Sequence, residues 1–186
     1  MLFRSTGRLL RICYDYTYKS AKYVEYTLDA SLILAPSISQ RPSFYSEDEI
    51  PLTYRVYDKD YTNSGYDRGH LAPDADFDYN SEDLKIIYTM ANIIPQDPDI
   101  NRDYWSKLED YEREITKKLG ELKVLNGVVF DNNPNYIGDS IAISKGYWKH
   151  LSNSAKGFER CFYYNNYISL GEVNSIDTHE VSCVGL

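Results

Sequence analysis

Ser64-Gly65-Tyr66-Asp67-Arg68-Gly69-His70-Leu71-Ala72-Pro73 puts an acid, a guanidinium, a glycine and an imidazole side by side. Gly65 and Gly69 read as bend points, because glycine takes positive φ at little cost. Pro73 fixes the exit and disfavours helix at Ala72. The polar groups are therefore expected on a short strand-turn segment rather than on a helix face. Arg68 brings a planar fork suited to phosphate. His70 brings the side chain that titrates near neutral pH. A base beside a phosphate clamp points to phosphodiester hydrolysis, provided a metal ligand lies elsewhere in the chain.

The second half of such a site reads from a helix. From about Asn101 to Leu119 the pattern is helical, with Trp105, Leu108, Ile115 and Leu119 as an apolar stripe and Tyr111 or Glu112 in its gap. Gly120 follows Lys117 and Lys118 as a C-terminal stop. Asn101 stands at the N-terminal end, Glu109 lies about 80° around the axis from it, and Arg113 is in an i, i+4 ion-pair position to Glu109. An amide oxygen plus a carboxylate that orders water suits magnesium, a hard cation that keeps several waters, and would serve zinc poorly. The blander readings are Asn101 as a helix N-cap and Glu109 as a solvated partner of Arg113.

Composition bounds the rest. With 186 residues, 42% hydrophobic and 26% charged, the chain reads as one globular domain with a real core. No run reaches the roughly 20 apolar residues of a membrane span. The net charge of −8 argues against a protein that coats nucleic acid, while an enzyme that releases its product needs only a local basic patch. The 19 tyrosines are expected to pack mostly as half-buried strand residues. Cys13, Cys161 and Cys183 lack metal-ligand spacing; a Cys161–Cys183 disulfide is open. His150 and His179 read as structural or exposed.

Along the chain, Arg4, Arg8 and Arg11 fall on one helical face of a basic first turn or edge segment, with residues 1–13 a targeting or anchor remnant as the alternative. Strands are expected at Tyr14–Tyr18 and Tyr23–Leu28, joined by a turn at Lys19–Lys22. Residues 35–51 read as irregular surface connection and 74–82 as loop; 83–90 is either helix or strand. Further strands are expected at 124–130, 140–143, 161–164 and 167–170, a short helix from Trp148 to Leu151, and an irregular tail over 174–186.

Three segments in order carry a family resemblance: residues 64–73 above, Asn92-Ile93-Ile94-Pro95-Gln96, and Asn101-Arg102-Asp103-Tyr104-Trp105-Ser106-Lys107-Leu108-Glu109. Together they resemble the DNA/RNA non-specific endonucleases, the group that includes endonuclease G and the secreted bacterial sugar-non-specific nucleases. The resemblance implies an α+β fold: a central antiparallel sheet with helices packed on it, containing a ββα-metal (His-Me finger) motif. It implies His70 as general base, Asn101 as direct metal ligand and Glu109 as the acid that holds metal-bound water. Arg68 and Arg113 then clamp the transition state, Asn92 supports the site, and Asp67 joins the set without an assigned role. Asn126-Gly127-Val128 stands where the family usually has Thr-Gly-Pro, and Ser144 where proline is common; both are expected to alter only local loop shape.

The function so implied is a magnesium-dependent endonuclease, with manganese as a substitute, cutting DNA and RNA to leave 5′-phosphate ends. A homodimer and an inhibitor protein are compatible partners. Secretion or a periplasmic location follows by resemblance, with mitochondrial and cytoplasmic placement left open. The alternatives are an inactive relative that only binds nucleic acid or protein, or a nuclease restricted to one polymer. Because a helix N-terminus repels cations, Asn101 is expected to hold magnesium weakly until a substrate phosphate arrives.

Overall fold

The structure, a computed structural model, describes the backbone of residues 2–6 and all of residues 9–185. Alternating burial builds its central sheet. In β3 (Ser20–Asp29), Val24, Tyr26 and Leu28 point into the core while Lys22 and Thr27 face out, the period of two that a half-buried strand requires. β3 pairs antiparallel with β2 (Leu10–Asp15) on one side and with β6 (Glu121–Val129) on the other. Beyond β2 lies β1 (Leu2–Thr6), and beyond β6 come β9 (Gly146–Asn153), β10 (Phe158–Asn165) and β11 (Glu180–Val181). All seven strands are antiparallel, in the order β1-β2-β3-β6-β9-β10-β11.

The long connection between β3 and β6 carries the site. It opens with the single turn α1 (Ala30–Ile33), then runs irregularly to β4 (Asp67–His70). Helix α2 (Ser81–Ile87) follows, capped by Asn80, whose side chain accepts from the Asp83 amide. β5 (Ile93–Gln96) returns to pair with β4. A π-helical turn, Ile100–Trp105, leads into α3 (Ser106–Leu119). β4, β5 and α3 form a ββα unit. α3 lies on the inner face of the sheet, burying Leu108, Glu112 and Thr116, and Gly120 ends it at φ +89°. A short ribbon, β7 (Tyr136–Ile137) with β8 (Ile141–Ala142), completes the chain's strands among the described residues.

Several expectations change. Of the two readings of the arginine-bearing N-terminus, the edge segment holds and the helical first turn does not: β1 is an outermost strand, Arg11 lies in β2 and pairs with Glu25 across to β3, and Arg8 lies outside the described residues. The first hairpin turn falls at 16–19, three residues early. Trp148–Leu151 is part of β9 rather than a helix, because pairing on both sides decides a short apolar run that its own period cannot. Residues 167–170 form no strand, and 140–143 keep only the two residues of β8. In the 174–186 tail, a 3-10 turn at Ile176–His179 and β11 lie against β10, where Cys161 and Cys183 form a disulfide; Cys13 is free and buried. No described helix is long and apolar enough to cross a membrane.

Candidate active site

The β4–β5 pair sets the frame. Its register places Asp67 opposite Gln96 and His70 opposite Ile93. Gly65 does take a positive φ, +83°, as a turn glycine should. Gly69 does not; it is glycine because a Cβ there would sit 2.1 Å from Gln96 Oε1. Asn92, wholly buried, grips the chain just after His70. Its Oδ1 accepts from the Ala72 amide at 2.9 Å and its Nδ2 donates to the Ala72 carbonyl at 3.0 Å. The Leu71 amide donates to the Asn92 carbonyl at 3.0 Å. Asn92 therefore supports the loop that carries the imidazole.

His70 itself is under-bonded. Nε2 is shielded from solvent and has no partner among the described residues. The ring lies 5.6 Å from Phe44 and 5.1 Å from Tyr88 between centroids. Burial pushes its pKa down to about 4, against the pull of Asp74, so the imidazole is neutral at neutral pH, the state a general base needs. Beside it, the Tyr88 hydroxyl donates to Asp74 at 2.6 Å and Arg41 pairs with the same carboxylate at 2.8 Å.

Asn101 sits in the π-helical turn, a distortion that often marks functional positions. Its Nδ2 donates to Asp67 Oδ2 at 2.9 Å, which leaves Oδ1 as the end available to a cation. Arg102 takes the same carboxylate with two donors, at 2.8 and 2.6 Å. Burial pushes Asp67 up, but the Arg102 and Asn101 donors outweigh it and hold the carboxyl below the usual range. Asp67 thus gains the role its sequence did not supply: it orients the amide of Asn101. His70 and Asp67 stand at the two ends of β4, about 10 Å of extended chain apart.

Glu109, one turn into α3, makes no ion pair or hydrogen bond among the described residues. Loss of solvation raises its carboxyl to about 7, although Lys149 and Arg113 pull the other way. The expected Glu109–Arg113 pair does not form. Arg113 binds Asp76 at 2.9 Å and Asp110 at 2.5 Å. Arg68 is also engaged, with Asp58 at 2.5 Å, and it lies over the rings of Tyr61 and Phe44.

Beneath these groups lies a polar layer that the sequence pattern does not reveal. Glu112 and Lys149 are both fully buried and form an ion pair. Glu112 Oε1 accepts from the Tyr26 hydroxyl at 2.7 Å. The Lys149 ammonium stands 4.9 Å from the Trp105 ring centroid. Asp76, 1% exposed, is pushed well above the carboxylate range by burial and by Glu112, against Arg113 and Lys149. Asn126 Nδ2 donates to the Leu71 carbonyl and, at 3.3 Å, to Tyr26. Asn126 lies in mid-β6, within the expected 124–130 strand, and its effect is not confined to local loop shape, because it touches the residue after His70. Gly127 beside it is required by Trp148, whose ring a Cβ would meet at 2.1 Å. Ser144 is buried and its carbonyl accepts from Asn166. His150 pairs with Glu159, and His179 stacks on Tyr164 at 3.9 Å, both structural as expected.

Comparison with known proteins decides the class. The sequence profile described as DNA/RNA non-specific endonuclease matches residues 5–182. The chain belongs to that family. Members are typically metal-dependent. Among curated relatives, the mitochondrial nuclease EXOG of Homo sapiens is 30% identical over 116 residues, 62% of this chain and 32% of that protein. A nuclease of Nostoc is 35% identical over 117 residues, 62% of this chain and 42% of that protein. Human mitochondrial endonuclease G is 29% identical over 119 residues, 64% and 40% of the two chains. This member of the DNA/RNA non-specific endonuclease family thus spans about a third to two-fifths of the length of these curated relatives. In fold it matches the crystal structure of the EndoG/EndoGI complex, a structure that concerns the inhibition of EndoG. That match has a TM-score of 0.83 at 22% identity, over 97% of this chain and 80% of that one.

Proposed function

We propose that this chain is a magnesium-dependent endonuclease, with manganese as a substitute, that hydrolyses DNA and RNA without strong sequence preference and leaves 5′-phosphate ends. The observation that carries the reading is a neutral, unpartnered His70 on the same short strand as Asp67, which turns the Asn101 oxygen outward. The donor set, one amide oxygen and the free carboxylate of Glu109, consists of hard oxygens and fits a magnesium-class cation. Bound to Asn101, with Glu109 ordering its water, such an ion would supply charge stabilisation at the scissile phosphate and the leaving oxygen.

The chain's own groups do the remaining work. His70 takes the proton from the attacking water, worth about 10²–10⁴-fold. Arg68 and Arg113 hold carboxylates, so a bound phosphate competes with Asp58 and Asp110 for their forks. Preorganised positive charge of this kind supplies much of the barrier lowering in phosphoryl chemistry. Contacts to backbone rather than base edges give little sequence preference. The solved EndoG/EndoGI complex concerns inhibition of EndoG, which supports a protein inhibitor as a partner here; a homodimer is a further proposal.

The test is a plasmid-nicking assay with magnesium, with EDTA, and with His70→Ala, run beside single-stranded DNA and RNA and followed by end-group analysis. Magnesium-dependent cleavage of both polymers, abolished by EDTA and reduced at least a hundredfold in the variant, is expected. Binding without turnover in the intact chain would overturn the reading in favour of an inactive relative.

A further inference from the structure

The catalytic candidates belong to two separate pieces of chain, the β4 loop with His70 and the helix with Asn101 and Glu109. One amide bonds to the first directly and reaches the second through Tyr26. Asn126 Nδ2 has two hydrogens to give. One goes to the carbonyl of Leu71, the residue that follows His70. The other goes to the Tyr26 hydroxyl at 3.3 Å, whose own proton goes to Glu112 on α3 at 2.7 Å. The route Leu71–Asn126–Tyr26–Glu112 is buried along its whole length. Lys149 occupies the second oxygen of Glu112, so Glu112 has no reason to turn away. Asn92 satisfies the other three backbone groups of Leu71 and Ala72. The Leu71 carbonyl is the last of the four, and among the described residues it is Asn126 that reaches it.

We propose that Asn126 and Tyr26 are positioning residues for the reaction: a two-proton strut that fixes the His70 loop against the Glu109 helix. The proposal rests on the nuclease reading. The amide orientation is dictated by the network, since a flipped Asn126 would point its oxygen at the Leu71 oxygen. The chosen orientation leaves Asn126 Oδ1 buried and without a partner among the described residues. That is a costly arrangement, accepted because both hydrogens are needed. No other side chain of this size does the same. Threonine offers one proton and can serve one side only; aspartate offers none.

The test combines kinetics with a readout independent of activity. Asn126→Asp, Asn126→Thr, Tyr26→Phe and the Asn126→Thr/Tyr26→Phe double variant are compared on an oligonucleotide substrate, with folding checked by thermal melting. Asn126→Asp is expected to lose ten- to a hundredfold in kcat with KM within threefold, and Asn126→Thr and Tyr26→Phe three- to tenfold each. The double variant should lose less than the product of the single losses, because the two residues act as one link. In parallel, amide hydrogen exchange at Leu71 and Ala72 should speed at least tenfold in Asn126→Thr and Tyr26→Phe, with the β6–β9 ladder unchanged. Tyr26→Phe removes a single oxygen, so it decides the matter if the Asn126 variants fail to fold. Wild-type kcat in Tyr26→Phe, or multiplicative losses with unchanged exchange at 71–72, overturns the strut. An intact chain that cuts nothing overturns the nuclease reading instead, and the exchange measurement still judges the link.

Discussion

The face of the site and its underside differ in how far their charged groups are bonded. On the face, His70 Nε2 and the Glu109 carboxylate have no partner among the described residues, and Asn101 uses only its nitrogen. On the underside, Glu112 has both oxygens engaged and Tyr26 and Lys149 are tied to it, while Asp76 binds Arg113 through Oδ1 and leaves Oδ2 unpartnered, as Asn126 does its Oδ1. Unmet polarity is tolerable on the face because the groups beneath cannot move away from it. Reactive side chains kept free of internal partners need a scaffold whose charged groups are held by partners of their own.

The sharpest way to break this contrast is at the face. His70→Ala should lower kcat about 10²–10⁴-fold while the melting temperature holds or rises, since an orphaned buried nitrogen is removed. A loss below tenfold in steady-state cleavage would mean that the imidazole is not the base.

The underside should answer with stability instead. Lys149→Met strands the fully buried Glu112 charge and is expected to cost about 3–5 kcal/mol in urea unfolding. Lys149→Met with Glu112→Leu should recover most of that, because an apolar pair of similar volume is often as stable as the ion pair it replaces.

Asp67→Ala tests the join between the two regions. With the Asn101 amide no longer oriented, metal affinity should fall about 10–100-fold, as for other residues that steer a ligand, with the melt unchanged. Manganese titration with a non-cleavable oligonucleotide measures it. Intact protein without oligonucleotide should bind the metal far more weakly, because α3 presents its positive end to the cation. Micromolar affinity in the free protein would contradict that.

The smallest effect is in pH. Glu109, raised to about 7 from an ordinary 4.5, favours its protonated form in the fold; that stability is complete below pH 4.5 and is lost as pH rises through 7. His70, lowered to about 4 from 6.5, works the other way: its stability is present above pH 6.5 and is lost as pH falls toward 4. Metal affinity of the free protein should therefore drop as pH falls below 7, by up to about tenfold per unit, and flatten above it. Calorimetry from pH 5.5 to 8.5 would show this, and a flat profile would remove Glu109 from the metal's surroundings.

Much of this is legible in the chain itself, for physical reasons. The 64–73 stretch and the helix from 101 are local patterns, with turn glycine, proline and apolar period all set by neighbours in sequence. The underside is not legible. Glu112 in the gap of an apolar stripe makes sense only once Lys149 and Tyr26 arrive from other strands. Asn126 reads as a departure with only local effect, inside an expected strand, because nothing in its sequence neighbourhood points to Leu71. Arg41 carries no signal at all: a lone arginine in an irregular stretch, it reaches Asp74 and Asp78 only through the fold. Trp148–Leu151 misleads because a short apolar run takes its conformation from its partners.

The spacing of the Leu71–Asn126 contact along the chain has one more implication. The two residues are 55 positions apart, and the Tyr26–Glu112 contact spans 86. A ribosome that has released everything up to Leu125 has already made His70, Asn101 and Glu109 and both sides of the Asp67–Asn101 and Asp76–Arg113 contacts, yet the buried link through Asn126 is still missing. If the chain is the nuclease proposed above, its full cutting power would come late in synthesis, when β6 slots in beside β3 and Asn126 reaches Leu71.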